Sequence, residues 1–177
     1  MADTAADGDY GGLSDLLAAD VASVLLDFDQ SSPLQSRMVQ MARCTVFLGK
    51  QAELALAELG LTDAQYRMLS LLSRGTISSS GAATTLSVSP PSVTSLIEGL
   101  VERGLVTRCT GSGDRRRVDL SLSRAGHCTL DAADEAVARR LLAIADHVED
   151  QDRREASFDA LVWWAEGLRR MVASLGL

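Results

Sequence analysis

Between Gly104 and Arg124 the hydrophobic period of this chain changes from that of a helix to that of a strand. Upstream, Val93, Leu96, Ile97, Leu100 and Val101 form a stripe at i, i+3, i+4, i+7 and i+8. Downstream, Leu105–Cys109 and Val118–Leu122 read as two short strands. Between them lies Thr110-Gly111-Ser112-Gly113-Asp114-Arg115-Arg116-Arg117, a polar turn carrying three consecutive arginines. A helical pattern then returns from about Arg124 to Val148 and again from about Arg153 to Leu175. The spacing predicts a mainly α chain with a small two- to three-stranded β-wing.

Punctuation residues divide the helical parts. A helix is expected from Leu34 to Glu58, with Gly60 as its C-terminal stop. Thr62 and Gln65 form a capping box for the next helix, which stops near Gly75. Ser78 caps a short helix, Ser79–Leu86, and Ser87-Val88 is a tight joint. Ser89 is an N-cap with Pro90 at the first helical position, where a missing N–H costs nothing. Nearer the N-terminus, Leu13, Leu16, Leu17, Val21, Val24, Leu25 and Phe28 share one helical face, and Gln30–Pro33 breaks that pattern. The expected organisation is an acidic extension over 1–35, helical regions over 36–60 and 124–177, and a compact module over 61–123.

Charge is distributed unevenly along the 177 residues. The formal net charge is −7, yet residues 1–34 hold seven aspartates and no base, while residues 62–126 hold eight arginines against five acids. Local rather than total charge governs affinity for a polyanion, so the acidic total does not exclude nucleic acid. No apolar run reaches the roughly 18–20 residues of a membrane span. The start, MADTAADGDYGG, lacks the basic n-region of a secretory signal. Three cysteines without a CxxC pair disfavour a disulfide scaffold or a zinc site. The expectation is a cytoplasmic chain with no cofactor and no membrane partner. No nucleophile–base pair, metal spacing or glycine-rich phosphate loop points to an enzyme.

A helix, a short joint, a capped proline-led helix and then a basic hairpin make a winged helix-turn-helix plan. A helix fits the DNA major groove, where its N-terminal residues reach base edges. An arginine-bearing hairpin can follow the backbone or enter the minor groove.

The residues that make the plan specific are Asp114-Arg115-Arg116-Arg117-Val118-Asp119-Leu120-Ser121-Leu122-Ser123-Arg124-Ala125-Gly126. This segment resembles the wing signature of the MarR family, with serines at both threonine positions. Ser87–Val106 resembles the family's recognition helix and first wing strand, and Leu61–Tyr66 the entry to the preceding helix. The resemblance covers about residues 36–175.

It implies a dimeric bacterial transcription regulator, in most members a repressor. Long N- and C-terminal helices would intertwine two copies, and the winged modules would bind a pseudo-palindromic operator on double-stranded DNA. Many members release DNA when a small phenolic or lipophilic effector, or an oxidant, acts. By position, Arg116 is the wing arginine for the minor groove and Asp114 the acid that would orient it. Arg115 and Arg117 would contact phosphates, or one of them could replace Arg116. Ser89, Ser92, Thr94 and Ser95 lie at the start and outer face of the recognition helix, where hydroxyls can bond bases or phosphates.

The sequence also departs from the family pattern. Ser95 stands where relatives often carry arginine, and no base occurs from Ser87 to Glu102. The helix therefore has no side chain for bidentate guanine readout. Specificity is expected to lean on hydroxyl contacts, water and DNA shape. Gly99 interrupts this helix and Gly81 the one before it, each at a cost of about 1 kcal/mol relative to alanine. The base-free helix and acidic total also keep open a helical protein-interaction module with weak or no sequence-specific DNA binding.

Other residues have two readings. Cys44 is a candidate redox sensor on the first long helix, or a small core residue. Met38, Met41 and Met68 could line an adaptable cavity or fill a core. His127 and His147 are about 30 Å apart on one helix, too far to share a metal. Trp163 and Trp164 point about 100° apart, so one would meet a partner, or one would be buried and the other half-exposed on the same chain. The face formed by Leu13–Phe28 would pack on the dimer body, form a solvated tail, or compete with DNA for the wing. If Arg116 enters the groove, Arg116→Ala should weaken DNA binding by about 1–3 kcal/mol. A larger effect of Arg115→Ala in the same titration would reassign the role.

Overall fold

The computed structural model describes residues 33–86, 88–110 and 118–174. The Leu13–Phe28 pattern and the Asp114–Arg117 turn lie outside the described residues. The chain divides into two compact units, residues 1–50 and 51–177. Helix α1, Leu34–Ala57, runs through that boundary. In the first unit it leaves Leu34, Val39, Val46 and Leu48 exposed.

The second unit follows the punctuation closely. Helix α1 buries Ala55 and Leu56, then ends at Gly60, whose φ of +63° suits a residue without a Cβ. The Leu61 N–H returns to the Leu56 carbonyl at 3.0 Å. Thr62 and Gln65 form the capping box of α2, Asp63–Leu72: the Thr62 hydroxyl accepts from the Gln65 N–H, and Gln65 Oε1 accepts from the Thr62 N–H. A two-residue strand β1, Ile77–Ser78, leads into α3, Ser79–Leu86, and α4 follows as Pro90–Glu102. The buried Ser78 hydroxyl accepts from the Gly81 N–H at 3.2 Å and so caps α3. Strands β2, Val106–Thr110, and β3, Val118–Leu122, precede α5, Arg124–Ala145, and α6, Gln151–Ser174.

The sheet is antiparallel with order β1-β3-β2. Its third strand, β1, pairs Ile77 with Leu120 and Ser78 with Asp119. Two residues are too short to show a period, so only the tertiary pairing reveals this strand. The core gathers Leu56, Met68, Leu69, Leu72, Val93, Ile97, Leu100, Val106 and Leu120, closed by Leu130 and Ala133 of α5. Burial of each large apolar side chain contributes roughly 1.5–3 kcal/mol. Met68 is fully buried there, which favours the packing reading of that methionine.

One knot ties the wing to the long helix. The Ser123 N–H donates to the Leu105 carbonyl at 3.0 Å, and its hydroxyl donates to the Gly104 carbonyl at 2.6 Å. The same hydroxyl accepts from the Gly126 N–H at 2.9 Å, capping α5. Gly126 is buried, and a Cβ there would overlap the Leu105 carbonyl oxygen. The glycine thus allows the backbone of α5 to lie against the turn that starts the wing. Gly81 has a similar reason: a Cβ would meet Ile77 Cγ1 at 3.0 Å and Ser78 Oγ at 3.3 Å. Gly99 has none, since nothing lies within 4 Å of such an atom.

Helix α6 buries no residue. Trp163 and Trp164 are 78% and 52% exposed, so neither enters a core of this chain. The reading that one is buried on the same chain is corrected: α6 adds no side chain to the core that α2–α5 close. Its start is held by the Asp150 carboxylate, which accepts from the Arg153 N–H at 3.1 Å. Arg154 reaches back to the Asp146 carboxylate at 3.2 Å and the Val148 carbonyl at 2.8 Å. Among the described residues no helix is long and apolar enough to cross a membrane.

The two glycine environments predict opposite outcomes. Gly126→Ala should lower stability by about 1–3 kcal/mol or more, because the backbone must move. Gly99→Ala should raise it by about 0.5–1 kcal/mol. Chemical denaturation of both variants checks this; equal effects would contradict the close approach at Gly126.

Candidate nucleic-acid interface

Helix α4 buries Val93, Ile97 and Leu100 and turns Pro91, Ser92, Thr94, Ser95, Glu98 and Glu102 outward. The outer face expected from the sequence is thus the exposed one. Ser89 has the extended backbone of an N-cap, φ −65° and ψ 147°, and its hydroxyl accepts from the Ser92 N–H at 3.4 Å. The Ser89 and Ser92 hydroxyls share a hydrogen bond of 2.8 Å, so one of their two protons is committed. The Thr94 hydroxyl donates to the Pro90 carbonyl at 3.0 Å and keeps its lone pairs for an incoming donor. Ser95 makes no hydrogen bond among the described residues. The face therefore offers mostly acceptors, two carboxylates and no base.

The wing strands meet in the register Val106↔Leu122, Thr107↔Ser121, Arg108↔Leu120, Cys109↔Asp119 and Thr110↔Val118. The Thr107 and Ser121 hydroxyls bond across the strands at 2.9 Å. The serines of the wing signature thus have distinct duties, Ser121 as a cross-strand partner and Ser123 as cap and tether. Asp114, Arg115, Arg116 and Arg117 belong to the turn outside the described residues.

The module's other arginines differ in their commitments. Arg67 pairs with Asp63 at 2.9 Å. Arg103 donates to the Gly60 carbonyl at 2.9 Å and to Gln65 Oε1 at 3.3 Å, fastening the end of α4 to the α1–α2 turn. Arg108 was not singled out from the sequence. It lines a depression of about 170 Å³ with Ser79, Thr94 and Ile97. The alternation Val106, Arg108 could have found it, because it places Arg108 on the strand face that carries Val106.

Cys44 is half-buried on α1 and forms no disulfide. His127, on the first turn of α5, and His147, just after its end, are exposed. Among the described residues no group of three metal-ligating side chains gathers.

Residues 59–117 match the profile of the MarR family. That match covers the winged module, a third of the chain. An HTH-type transcriptional regulator, FarR of Neisseria gonorrhoeae, is 34% identical over 90 residues, which cover 50% of this chain and 62% of FarR. The chain therefore spans about three fifths of the length of that curated relative. Wild-type E. coli MarR in its apo form is similar in fold, with a TM-score of 0.63 and 22% identity over 77% of this chain and 98% of that one. The transcriptional repressor CouR, solved on a 23-mer DNA duplex, superposes with a TM-score of 0.59 and 25% identity. That match covers 90% of this chain and 99% of CouR.

One long-range polar contact holds the MarR-type module to α5. The Tyr66 hydroxyl on α2 donates to the Asp134 carboxylate on α5 at 2.6 Å. Burial, then the hydrogen bond and charge of Asp134, push the Tyr66 phenol up to about 12 from its usual 10.0. The folded state thus holds the phenol proton more tightly than the unfolded chain does. The pair's stabilisation is present below pH 10 and is lost as pH rises through about 12. Tyr66→Phe should lower stability by about 0.5–1.5 kcal/mol at neutral pH and remove this alkaline decline. Thermal melts across that pH range check it; an unchanged decline in the variant would assign it to other groups.

Proposed function

We propose that this protein is a homodimeric DNA-binding transcription regulator, acting as a repressor on a pseudo-palindromic operator. The observation that carries the reading is the capped α4, whose hydroxyl-bearing outer face lies beside a two-stranded wing. Ser89, Ser92, Thr94 and Ser95 would meet base edges and phosphates from α4. Arg116 would enter the minor groove, oriented by Asp114, with Arg115 and Arg117 on phosphates. The similarity to a repressor solved on DNA supports this assignment.

Dimerisation is supported by α6. Leu161, Trp164, Leu168 and Met171, spaced i, i+3, i+7 and i+10 along one face of α6, are all exposed on the single chain. Contiguous apolar surface of this kind marks an interaction site, and a second copy would cover it. Release by a small lipophilic or phenolic effector is the family's usual regulation and extends the proposal. Oxidation at Cys44 is the alternative trigger.

A protein-interaction module is the competing reading, favoured by Glu98 and Glu102 on a base-free α4 face. Fluorescence anisotropy with duplexes from the DNA flanking the gene, across a salt series, separates the two. The regulator should bind a two-fold-related site with half-sites about 10 bp apart, its affinity falling steeply with salt. Absence of binding at low salt would leave the interaction module. Light scattering should return twice the chain mass of 18.8 kDa. A monomer would contradict the dimer.

A further inference from the structure

We propose that Arg108, together with Ser79, forms a seat for one phosphate of the DNA backbone beside α4. The inference rests on the DNA-binding reading above and adds to it a residue outside the wing turn. Arg108 stands opposite Leu120 in the β2–β3 register, and directly opposed residues share a sheet face. Val106, two residues earlier, and Leu120 are both buried in the core. The Arg108 side chain therefore sets out from the helix-facing side of the sheet. The residue is nevertheless exposed, so its aliphatic stem passes the buried Ile97 and its guanidinium emerges at the surface.

It emerges at a depression of about 170 Å³ lined by Ser79, Thr94, Ile97 and Arg108. The three polar residues come from three elements: the first residue of α3, the second turn of α4, and the middle of β2. No carboxylate lines this depression among the described residues. Arg108 makes no hydrogen bond or ion pair with any described residue, unlike Arg67 and Arg103, which are committed. An uncommitted guanidinium beside the Ser79 hydroxyl fits a phosphate, which its planar fork can bind through two parallel hydrogen bonds, while Thr94, its proton held by the Pro90 carbonyl, borders the seat without donating to it. Because α4 carries no base, Arg108 supplies the positive charge that this helix lacks. It sits on β2, outside the outer face of α4 formed by Pro91, Ser92 and Ser95. That position suits a backbone contact, which fixes register, rather than a base contact.

The test compares wild type, Arg108→Ala and Arg108→Lys by fluorescence anisotropy over a salt series. One probe is a duplex from the DNA upstream of the chain's own gene; the other is a shuffled duplex of equal composition. Losing a phosphate contact should make the slope of log affinity against log salt shallower by about 0.9 for each Arg108 in the complex. Near 0.1 M salt that corresponds to about eightfold weaker binding per contact, equal for both duplexes. Arg108→Lys keeps the charge and should keep the slope, so the seat stays testable if the alanine variant melts early. An unchanged slope in Arg108→Ala, with wild type binding normally, overturns the seat and leaves the DNA-binding reading intact. A loss of discrimination between the duplexes at constant slope would make Arg108 a base reader and also overturns it. Wild type that binds neither duplex removes the DNA-binding reading and the seat together.

Discussion

The backbone contact between Gly126 and Leu105 sets the geometry on which the rest of the module depends. With no Cβ in the way, α5 starts against the turn that ends α4. Ser123 completes the joint by donating to Gly104 and accepting from Gly126. Three elements are thereby fixed at one point: the end of α4, the start of β2 and the start of α5. A side chain at position 126 would collide with the Leu105 carbonyl, so these elements would have to shift. The joint closes on the buried Gly126 and Leu105, whereas the surfaces it positions are polar and exposed.

On the proposed function, those surfaces would divide the work of holding a polyanion. Helix α4 offers hydroxyls and carboxylates; Ser89 and Ser92 are engaged with each other, and Thr94 with the Pro90 carbonyl. Positive charge lies on the sheet at Arg108 and on the turn at Arg115, Arg116 and Arg117. On the proposed function, affinity would come from the wing and its strand, and the helix would contribute shape and hydroxyl contacts. The acidic total is not the charge of this module, because residues 1–34 alone hold seven aspartates and no base.

Much of the fold could be read from residue order. The capping box at Thr62 and Gln65, the proline-led start at Ser89 and the stop at Gly60 are local devices that act within a few residues. Of the stripe Val93, Leu96, Ile97, Leu100 and Val101, three residues are buried and Leu96 and Val101 pack half-buried against the same core. Strand β1 escaped because its two residues have no period and are held only by Leu120 and Asp119, some forty residues away. Gly81 read as a helix defect, yet it makes room for the Ile77 side chain. The tryptophan pair was partly legible. Helical geometry separates their directions, but whether either was buried depended on what packs against α6.

The sequence by itself determined where α1 to α5 begin, which face of α4 is apolar, and that three consecutive arginines lie between two strands. These properties follow from capping, periodicity and turn chemistry, all of which act at short range. Only the tertiary structure decided that Ser123 and Gly126 lock the wing to α5, that Tyr66 reaches Asp134, and that Arg108 surfaces next to Thr94. Each of these joins residues between 14 and 68 positions apart, or depends on strand register. Such contacts exist only once the core has brought distant segments together, so no local pattern encodes them.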